Sequence, residues 1–515
     1  MLLGVISLII PAVYILAALA ALVVAIIVIN KPESGVVFTF IALPFIKTTY
    51  LIAIIMLCSF SYIIKLLRGQ RSLKIDVADG AVLLFALLLF FGGLFSAGGK
   101  ESMKAALVYI CFIAGYFLVV NLIRTREWII RTVGALISGL LVESLIGVGE
   151  YLLGFSKLNW FDTALFSGIE GRAVATFENP NILGEYIVLA LPLAMALVAR
   201  SGKPHRRIGA LVICLCAAAC AVFTWSRGAW IALAVCCGMM LLMISEKFIM
   251  LLLAAAVALP FARFWMPANV FERLMSIGSL ADSSSAYRLS VWRGSLSLAS
   301  DHLLSGIGIG SSAFGAVYPS YAYSGCETAL HSHNLFIQLV VEMGLPALIL
   351  FIFIVFMWIA RSAGAMKNCH RRSPLVRLLS FGCISAMIGL LVQGMTDYVF
   401  YSYRIYLLFF MIAGLLGSCT RFIKNEDSVL PEWQTGESGS SNFDTELHYE
   451  SVDISKESAS PARKQPSAKN DRKREFPRMS AGEILRLEEE AYLRREVANA
   501  RQNNPKQPKG DENDD

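Results

Sequence analysis

The sequence predicts an all-α, polytopic membrane protein with about twelve transmembrane helices, a large extracytoplasmic loop and a disordered cytoplasmic tail. Three observations lead there. Hydrophobic residues make up 56% of the chain and charged ones only 16%, against roughly 45–50% and about 25% in soluble proteins. The apolar residues fall in long blocks, several free of charge, without the polar face that a soluble core helix shows every third or fourth residue. The basic residues fall between alternate blocks.

A spanning helix needs about 20 mostly apolar residues. Stretches of that kind lie near 5–29, 40–66, 79–97, 103–122, 128–151, 181–199, 207–224, 228–245, 248–263, 335–360, 376–396 and 402–422. Pro44 and Lys47 interrupt the second, so 36–46 reads alternatively as a short re-entrant piece. The first block is longer than a signal-peptide core, lacks a basic start and has no small-x-small cleavage site, so it reads as a retained helix.

The short connections carry Lys65, Arg68, Arg71 and Lys74, then Arg124 and Arg126, then Arg200, Lys203, Arg206 and Arg207, then Arg361, Lys367, Arg371 and Arg372, and finally Arg421 and Lys424. If spans alternate, all of these share one side. Basic connections mark the cytoplasm, which places both termini there and requires an even span count. Two long loops, about 152–180 and 263–333, then lie outside. The net charge of +7 follows from this distribution, and no nucleic-acid partner is expected. Of the eleven cysteines, most sit in apolar segments as small buried residues. Cys326 alone falls in a long polar loop, so no disulfide framework is implied.

These features divide the chain into a membrane domain, 1–424, and a tail, 425–515. The tail is rich in Ser, Glu, Lys, Asn and Pro and reads as disordered. Ser480 and Glu483 have capping-box spacing, predicting a short helix over about 480–500, either solvated or docked on an unknown partner.

Arginine is costly inside a membrane, so arginines that break the charge pattern call for a reason. Arg172, Arg227, Arg288 and Arg404 do so. Arg227 lies in Thr224-Trp225-Ser226-Arg227-Gly228, a turn between two spans. Its flat fork of donors suits phosphate or carboxylate; the plainer alternative is an interfacial arginine beside Trp225. Arg288 and Trp292 are four apart and share a helical face, as a site or as a surface cation–π pair. Ser285 is a candidate cap for that helix. Glu178, Asn179 and Asn181 crowd the approach to the sixth span, which should begin at Pro180 or Asn181; they either cap that helix or meet sugar hydroxyls. His331-Ser332-His333-Asn334 enters the tenth span from outside, where an imidazole can serve as a base. Two histidines at i and i+2 with no third ligand nearby do not make a metal pair, and no metal or cofactor is expected. Gly306-Ile307-Gly308-Ile309-Gly310 reads as a turn that permits close packing. Asp397, at the outer end of the eleventh span, is either a plain interfacial acid or a partner for Arg404. The charge rule places all these residues on one side. Arginines clustered with a histidine there suit a pyrophosphate-bearing lipid.

The chain resembles the O-antigen ligase and polymerase superfamily over roughly residues 80–420. The most specific match is His333-Asn334, nine residues, then Gly344-Leu345-Pro346-Ala347, with Ala347 in place of the pattern's second glycine. Arg172 to Asn181, Ser226-Arg227-Gly228, Tyr287-Arg288 to Trp292 and Gly306 to Phe314 are similar too. The resemblance implies an inverting, metal-independent glycosyl transfer at the bacterial inner membrane, with the active site outside the cytoplasm. The donor would be a glycan on undecaprenyl pyrophosphate, the acceptor a glycolipid, a protein or the wall. Arg227 and Arg288 would bind pyrophosphate and His333 would act as general base. Arg172, Glu178, Asn179, Asn181, Trp292, Asn334, Asp397 and Arg404 are further candidates for substrate binding. A ligase acting in cell-surface polysaccharide biosynthesis is the first expectation, a polymerase of lipid-linked repeat units the second. A flippase of lipid-linked sugars or a scaffold acting through the tail are rivals of other classes.

Overall fold

A computed structural model describes residues 12–155, 171–200, 202–264, 266–278, 283–368 and 373–428; the expected tail helix lies outside them. Among the described residues there are helices and turns and no strand. In chain order the helices are α1 Ala12–Asn30, α2 Pro32–Ala42, α3 Thr48–Leu67, α4 Val77–Leu94, α5 Gly99–Leu122, α6 Arg126–Leu152, α7 Pro180–Arg200, α8 Pro204–Phe223, α9 Arg227–Ile244, α10 Phe248–Ala258, α11 Ala268–Met275, α12 Ser283–Asp301, α13 Ser311–Val317, α14 Leu335–Asn368, α15 Pro374–Gly394 and α16 Tyr403–Ser428.

Ten of the described helices are long and apolar enough to cross a membrane, and three apolar segments, 21–30, 32–42 and 248–264, are shorter. The segment expected as one span at 40–66 is divided. Pro32 begins α2, which stops at Ala42, and α3 starts afresh at Thr48 after the turn holding Pro44. The stretch expected at 248–263 is α10 followed by a tighter helical turn, Leu259–Phe264.

Burial sorts the long helices. In α16 every residue from 405 to 416 is buried, and α16 packs on α5, α14 and α15. α7 lies against α15 and α8. Helices α3, α4 and α8 have outer faces of exposed Leu, Ile, Val, Met and Phe. Such faces are expected where the solvent is hydrocarbon and only backbone groups must be paired internally.

Long helices joined by short connections reverse direction at each one, while α9 and α14, separated by the short α10 and the outer loop, both start at the same end; the bundle thus has two ends. At one end lie the basic connections and an ion-pair network. Asp76 caps α4, accepting from the N–H groups of Ala78 and Asp79 at 3.0 and 3.2 Å, while Asp79 accepts from the Asp76 N–H. Arg361 and Arg421 pair with Asp76, and Arg421 and the Tyr116 hydroxyl donate to Asp79 at 2.7 and 2.6 Å. Arg404 and Arg421 are 17 positions apart on α16, about 25 Å at 1.5 Å per residue, so the first belongs to the opposite end.

That opposite end carries the long loops. The glycine run 306–310 threads between two supports. On one side the Ala97 N–H donates to the Ile307 carbonyl at 2.9 Å. On the other, Ile307 and Gly308 donate to the carbonyls of Val341 and Glu342, and Leu345 donates to Leu303. This pairing requires α14 to open, and it does so at Gly344, whose φ is 80°. A Cβ on Gly344 would meet the Leu304 carbonyl, and one on Gly306 the Glu342 carbonyl. Ala347 is fully buried in the core.

Two outcomes are expected. Gly344→Ala combines left-handed backbone with a backbone clash and should lower stability by about 2 kcal/mol or more. Gly364→Ala, with open space around its Cβ, should be neutral or up to about 1 kcal/mol stabilising. Thermal unfolding in detergent compares the two. Burial opposes ionisation of Asp76, but hydrogen bonds from Arg361 and Arg421 outweigh it and lower its pKa from 3.8 to about 2. The ionised form therefore contributes about 2 kcal/mol, in full above the unfolded value and lost as pH falls from 3.8 to about 2. Asp76→Asn should be less stable than the parent at neutral pH, with the gap closing in acid.

Candidate functional site

Four separate elements meet at the loop-bearing end. The first is the strap 171–179. Two carboxylates from α6 fasten it: Glu150 Oε2 accepts from the Val174 and Ala175 N–H groups at 3.1 and 2.8 Å, and Glu143 Oε2 accepts from the Thr176 N–H at 3.3 Å. The Thr176 hydroxyl lies 2.6 Å from both Glu143 Oε1 and the Pro44 carbonyl. This fastening holds Ala175 and Glu178 at positive φ, 45° and 58°. Arg172 is buried, and its Nε donates to the Thr224 carbonyl at the end of α8 at 2.7 Å. Asn179 caps α7, its Oδ1 accepting from the Asn181 N–H at 2.9 Å with Pro180 in the first helical position.

The second element is the turn 224–226. Trp225 has φ 54°, a left-handed conformation rare for a bulky residue and most often found at functional positions. The turn delivers Arg227 to the first position of α9, where its guanidinium donates to the Ser276 carbonyl at 3.0 Å. Arg273 on α11 is buried nearby, with its Nε 3.4 Å from the Trp225 carbonyl. The third is α12, which begins at Ser283, two residues before the expected cap Ser285. Its positions 284, 288 and 292 share one face.

The fourth is the strap 331–334. His333 has φ 52°. Its N–H donates to His331 Nδ1 at 3.1 Å, and its carbonyl accepts from the Trp292 indole at 3.1 Å. Ser332 N–H donates to Gln338 Oε1 at 2.7 Å, and Gln338 donates in turn to Glu342 at 3.0 Å. Asn334 caps α14, accepting from the Phe336 and Ile337 N–H groups and donating to the Met395 carbonyl.

Asp397 joins these elements. Its Oδ2 accepts from Asn181 Nδ2 at 3.0 Å and lies 3.4 Å from Arg288. Its Oδ1 accepts from the Tyr398 N–H at 2.9 Å and lies 3.4 Å from His333 Nδ1. Burial works against the Asp397 charge, but Arg288, His333 and His331 outweigh it and hold the carboxyl well below the usual carboxylate range. An ionised carboxylate only accepts. It therefore keeps the proton of a neutral His333 on Nδ1 and leaves Nε2 as the basic nitrogen. Burial and then His333 push the His331 pKa down to about 3, in keeping with its Nδ1 as an acceptor.

Three cavities adjoin at Arg288. The smallest, about 50 Å³, is lined by Arg172, Arg227, Arg273, Arg288 and Asp397 among others. Burial and then the neighbouring Arg273, Arg288 and Arg227 lower the Arg172 pKa to about 9. A second, about 220 Å³, runs from Arg227 and Arg288 along Ile231, Ile277, Leu289 and Trp292. The largest, about 470 Å³, holds Asn179, Asn181, Glu185, Tyr287, His331, His333 and Asp397. His331, His333 and Asp397 bring three donor atoms within 4.8 Å of one another. His331 Nδ1 is already occupied by the His333 N–H, and Asp397 by four donors, with guanidinium groups alongside. The guanidinium groups of the adjoining small cavity are the part of this end that suits an anion.

Of the residues singled out in the sequence, Arg172, Arg227, Arg288, His333, Asn179, Asn181, Asp397 and Trp292 therefore lie together. Asn334 is a helix cap. Arg404 does not pair with Asp397: it donates to the Pro44 and Thr176 carbonyls at 2.7 and 3.3 Å and lies over the Phe177 ring, bracing the strap. Glu178 is exposed and lines none of the three cavities. Arg273 was not singled out, although it breaks the same charge pattern as the other outer arginines. Glu143, Glu150, Glu185 and Glu342, acidic residues inside apolar stretches, carried the same signal.

A multi-span helical membrane protein with an arginine-lined pocket at one end is the class that fold and site define. Residues 210–352 match the family model described as O-antigen ligase, which supports the O-antigen ligase and polymerase superfamily and a function of that general type on lipid-linked glycans. The matched segment contains Arg227, Arg273, Arg288, Trp292 and His333. No curated protein matches the chain.

Asp397→Asn keeps the shape of the side chain and removes its charge. It should lower glycan transfer on the order of 10²–10⁴-fold, as loss of a histidine-orienting carboxylate does elsewhere, and should also lower the melting temperature, because the guanidinium groups around it lose their compensating charge. Transfer in a complemented deletion strain, read beside the melt, checks both. Because burial pushes the His331 pKa down to about 3, His331→Asn should leave the shape of the activity–pH profile above about pH 5 unchanged.

Proposed function

We propose that the protein transfers a glycan from undecaprenyl pyrophosphate to an acceptor hydroxyl, at the outer face of the bacterial cytoplasmic membrane, in cell-surface polysaccharide biosynthesis. The observation that carries this reading is the junction of the cavities at Arg288. Four guanidinium groups line one side, and the Asp397–His333 pair lies on the other. The basic connections gather at the opposite end, which by the charge rule faces the cytoplasm.

In this reading the pyrophosphate sits among Arg172, Arg227, Arg273 and Arg288. The apolar groove along Ile231 and Leu289 takes the first part of the prenyl chain, and the larger cavity takes sugars. His333 Nε2 accepts the proton of the acceptor hydroxyl as its oxygen attacks the anomeric carbon. The bond from that carbon to the phosphate oxygen breaks, and undecaprenyl pyrophosphate leaves with the electron pair. Attack opposite the leaving group inverts the anomeric centre. Fixed guanidinium groups stabilise the charge that grows on the leaving phosphate, the part a metal ion plays elsewhere. His331 and Asp397 fix the imidazole; neither exchanges a proton in the step.

The first test is the lipid-linked glycan profile of a deletion strain beside strains carrying His333→Ala, Arg227→Ala or Arg288→Ala. The ligase reading expects long polymers held on the carrier, a bare surface acceptor, and loss of at least about 10²-fold in each variant. Accumulation of single repeat units instead identifies a polymerase. Wild-type behaviour of His333→Ala, with a defect in the deletion, sinks the catalytic assignment in favour of a transporter or scaffold. In membranes, transfer should survive chelation by EDTA.

A further inference from the structure

The large cavity contains a buried carboxyl that neither the fold nor the mechanism uses. Glu185 is on α7, four positions after Asn181, and both line this cavity; residues at that spacing share a helical face. Its side chain is 2% exposed, and Oε2 has no hydrogen-bond partner. Glu185 lines the same cavity as Arg288, His333 and Asp397, on the side of the reacting centre. Gly184 beside it packs so closely that a Cβ there would strike Ala229, which fixes the backbone at this point.

The other buried carboxylates at this end behave differently. Glu143 holds Thr176, and Glu342 holds Gln338, the Gly310 N–H and Tyr398. Each ties two elements together. A buried polar atom with no partner destabilises the fold, and Oε2 of Glu185 gives no visible structural return for that cost. A carboxyl group accepts through its oxygens and, when protonated, donates through its O–H, and the hydroxyls a glycan brings into a polar cavity can meet it in either sense.

We propose that Glu185 receives a sugar hydroxyl of the glycan held in this cavity and so determines which sugar is accepted. This rests on the reading of the site as a glycan-transfer centre. The hydroxyl has two sources with the same chemistry: the donor sugar next to the pyrophosphate, or the acceptor sugar that approaches His333. A site built to bond a hydroxyl discriminates strongly against a sugar that lacks it.

The test uses the full-length protein in lipid nanodiscs with two probes: glycan-free undecaprenyl pyrophosphate, and the lipid-linked glycan extracted from a deletion strain. Glu185→Gln and Glu185→Met should bind the glycan-free probe as the parent does. If the hydroxyl belongs to the donor, they should bind the glycan-bearing probe about 10–100-fold more weakly. If it belongs to the acceptor, donor binding is retained and the acceptor concentration for half-maximal transfer rises by a similar factor. In both cases Glu185→Met should melt at or above the parent temperature. A lowered melting temperature with equal loss of both probes makes Glu185 structural and overturns the proposal. So does parental binding and transfer in both variants. A parent protein that binds neither probe overturns the underlying reading of the site instead.

Discussion

Asp397 is the carboxylate around which the site is organised. Its two oxygens contact the start of α7 through Asn181, α12 through Arg288 and the strap 331–334 through His333. These groups are 64 to 216 positions away in the chain. A negative charge buried among guanidinium groups is retained because they compensate it, and its removal leaves their mutual repulsion unopposed. The same charge selects the tautomer of His333. Orientation of the imidazole and tolerance of the crowded arginines thus have one physical source.

Buried and half-buried acids recur as fasteners in this end of the molecule. Glu143 and Glu150 reach from α6 to hold a strap in left-handed backbone. Glu342 holds the glycine run, Gln338 and Tyr398. In a low-dielectric interior each such bond is strong and each failure to form it is costly. Loops placed in this manner are fixed by a few charged points, since broad apolar packing is not open to polar segments that must leave room for substrate.

The helical class and most span positions were legible in the sequence because hydropathy and the siting of Lys and Arg follow directly from solvation. Pro180 and Asn179 marked the start of α7 through local stereochemistry alone. The grouping of Arg172, Arg227 and Arg288 with His333 was legible because arginine on that side of a membrane is otherwise unfavourable. The partner of Asp397 was not. Arg404 lies nearer in sequence, but helical geometry directs it to Pro44 and Thr176, while Arg288 arrives from a distant loop. Arg273 carried the same signal as its neighbours and was obscured by an amphipathic loop helix. The acids within spans stood out as exceptions, but their partners are backbone amides and side chains distant in sequence or structure, which sequence does not label. The division of the second span at Pro44 is a tertiary outcome, since the Pro44 carbonyl accepts from Arg404.

The opening of α14 at Gly344 has a mechanical meaning. The first nine residues of this helix, 335–343, are joined by backbone hydrogen bonds to the glycine run of the outer loop. The remainder packs into the bundle beside α4 and α16. His333 lies at the head of the first portion. A pull on the glycine run is therefore transmitted to the imidazole along about two turns of unbroken helix, whereas a pull along the rest of α14 must pass a left-handed glycine joint. In mechanical terms the reactive nitrogen travels with the loop, although the sequence draws it as the cap of a membrane helix.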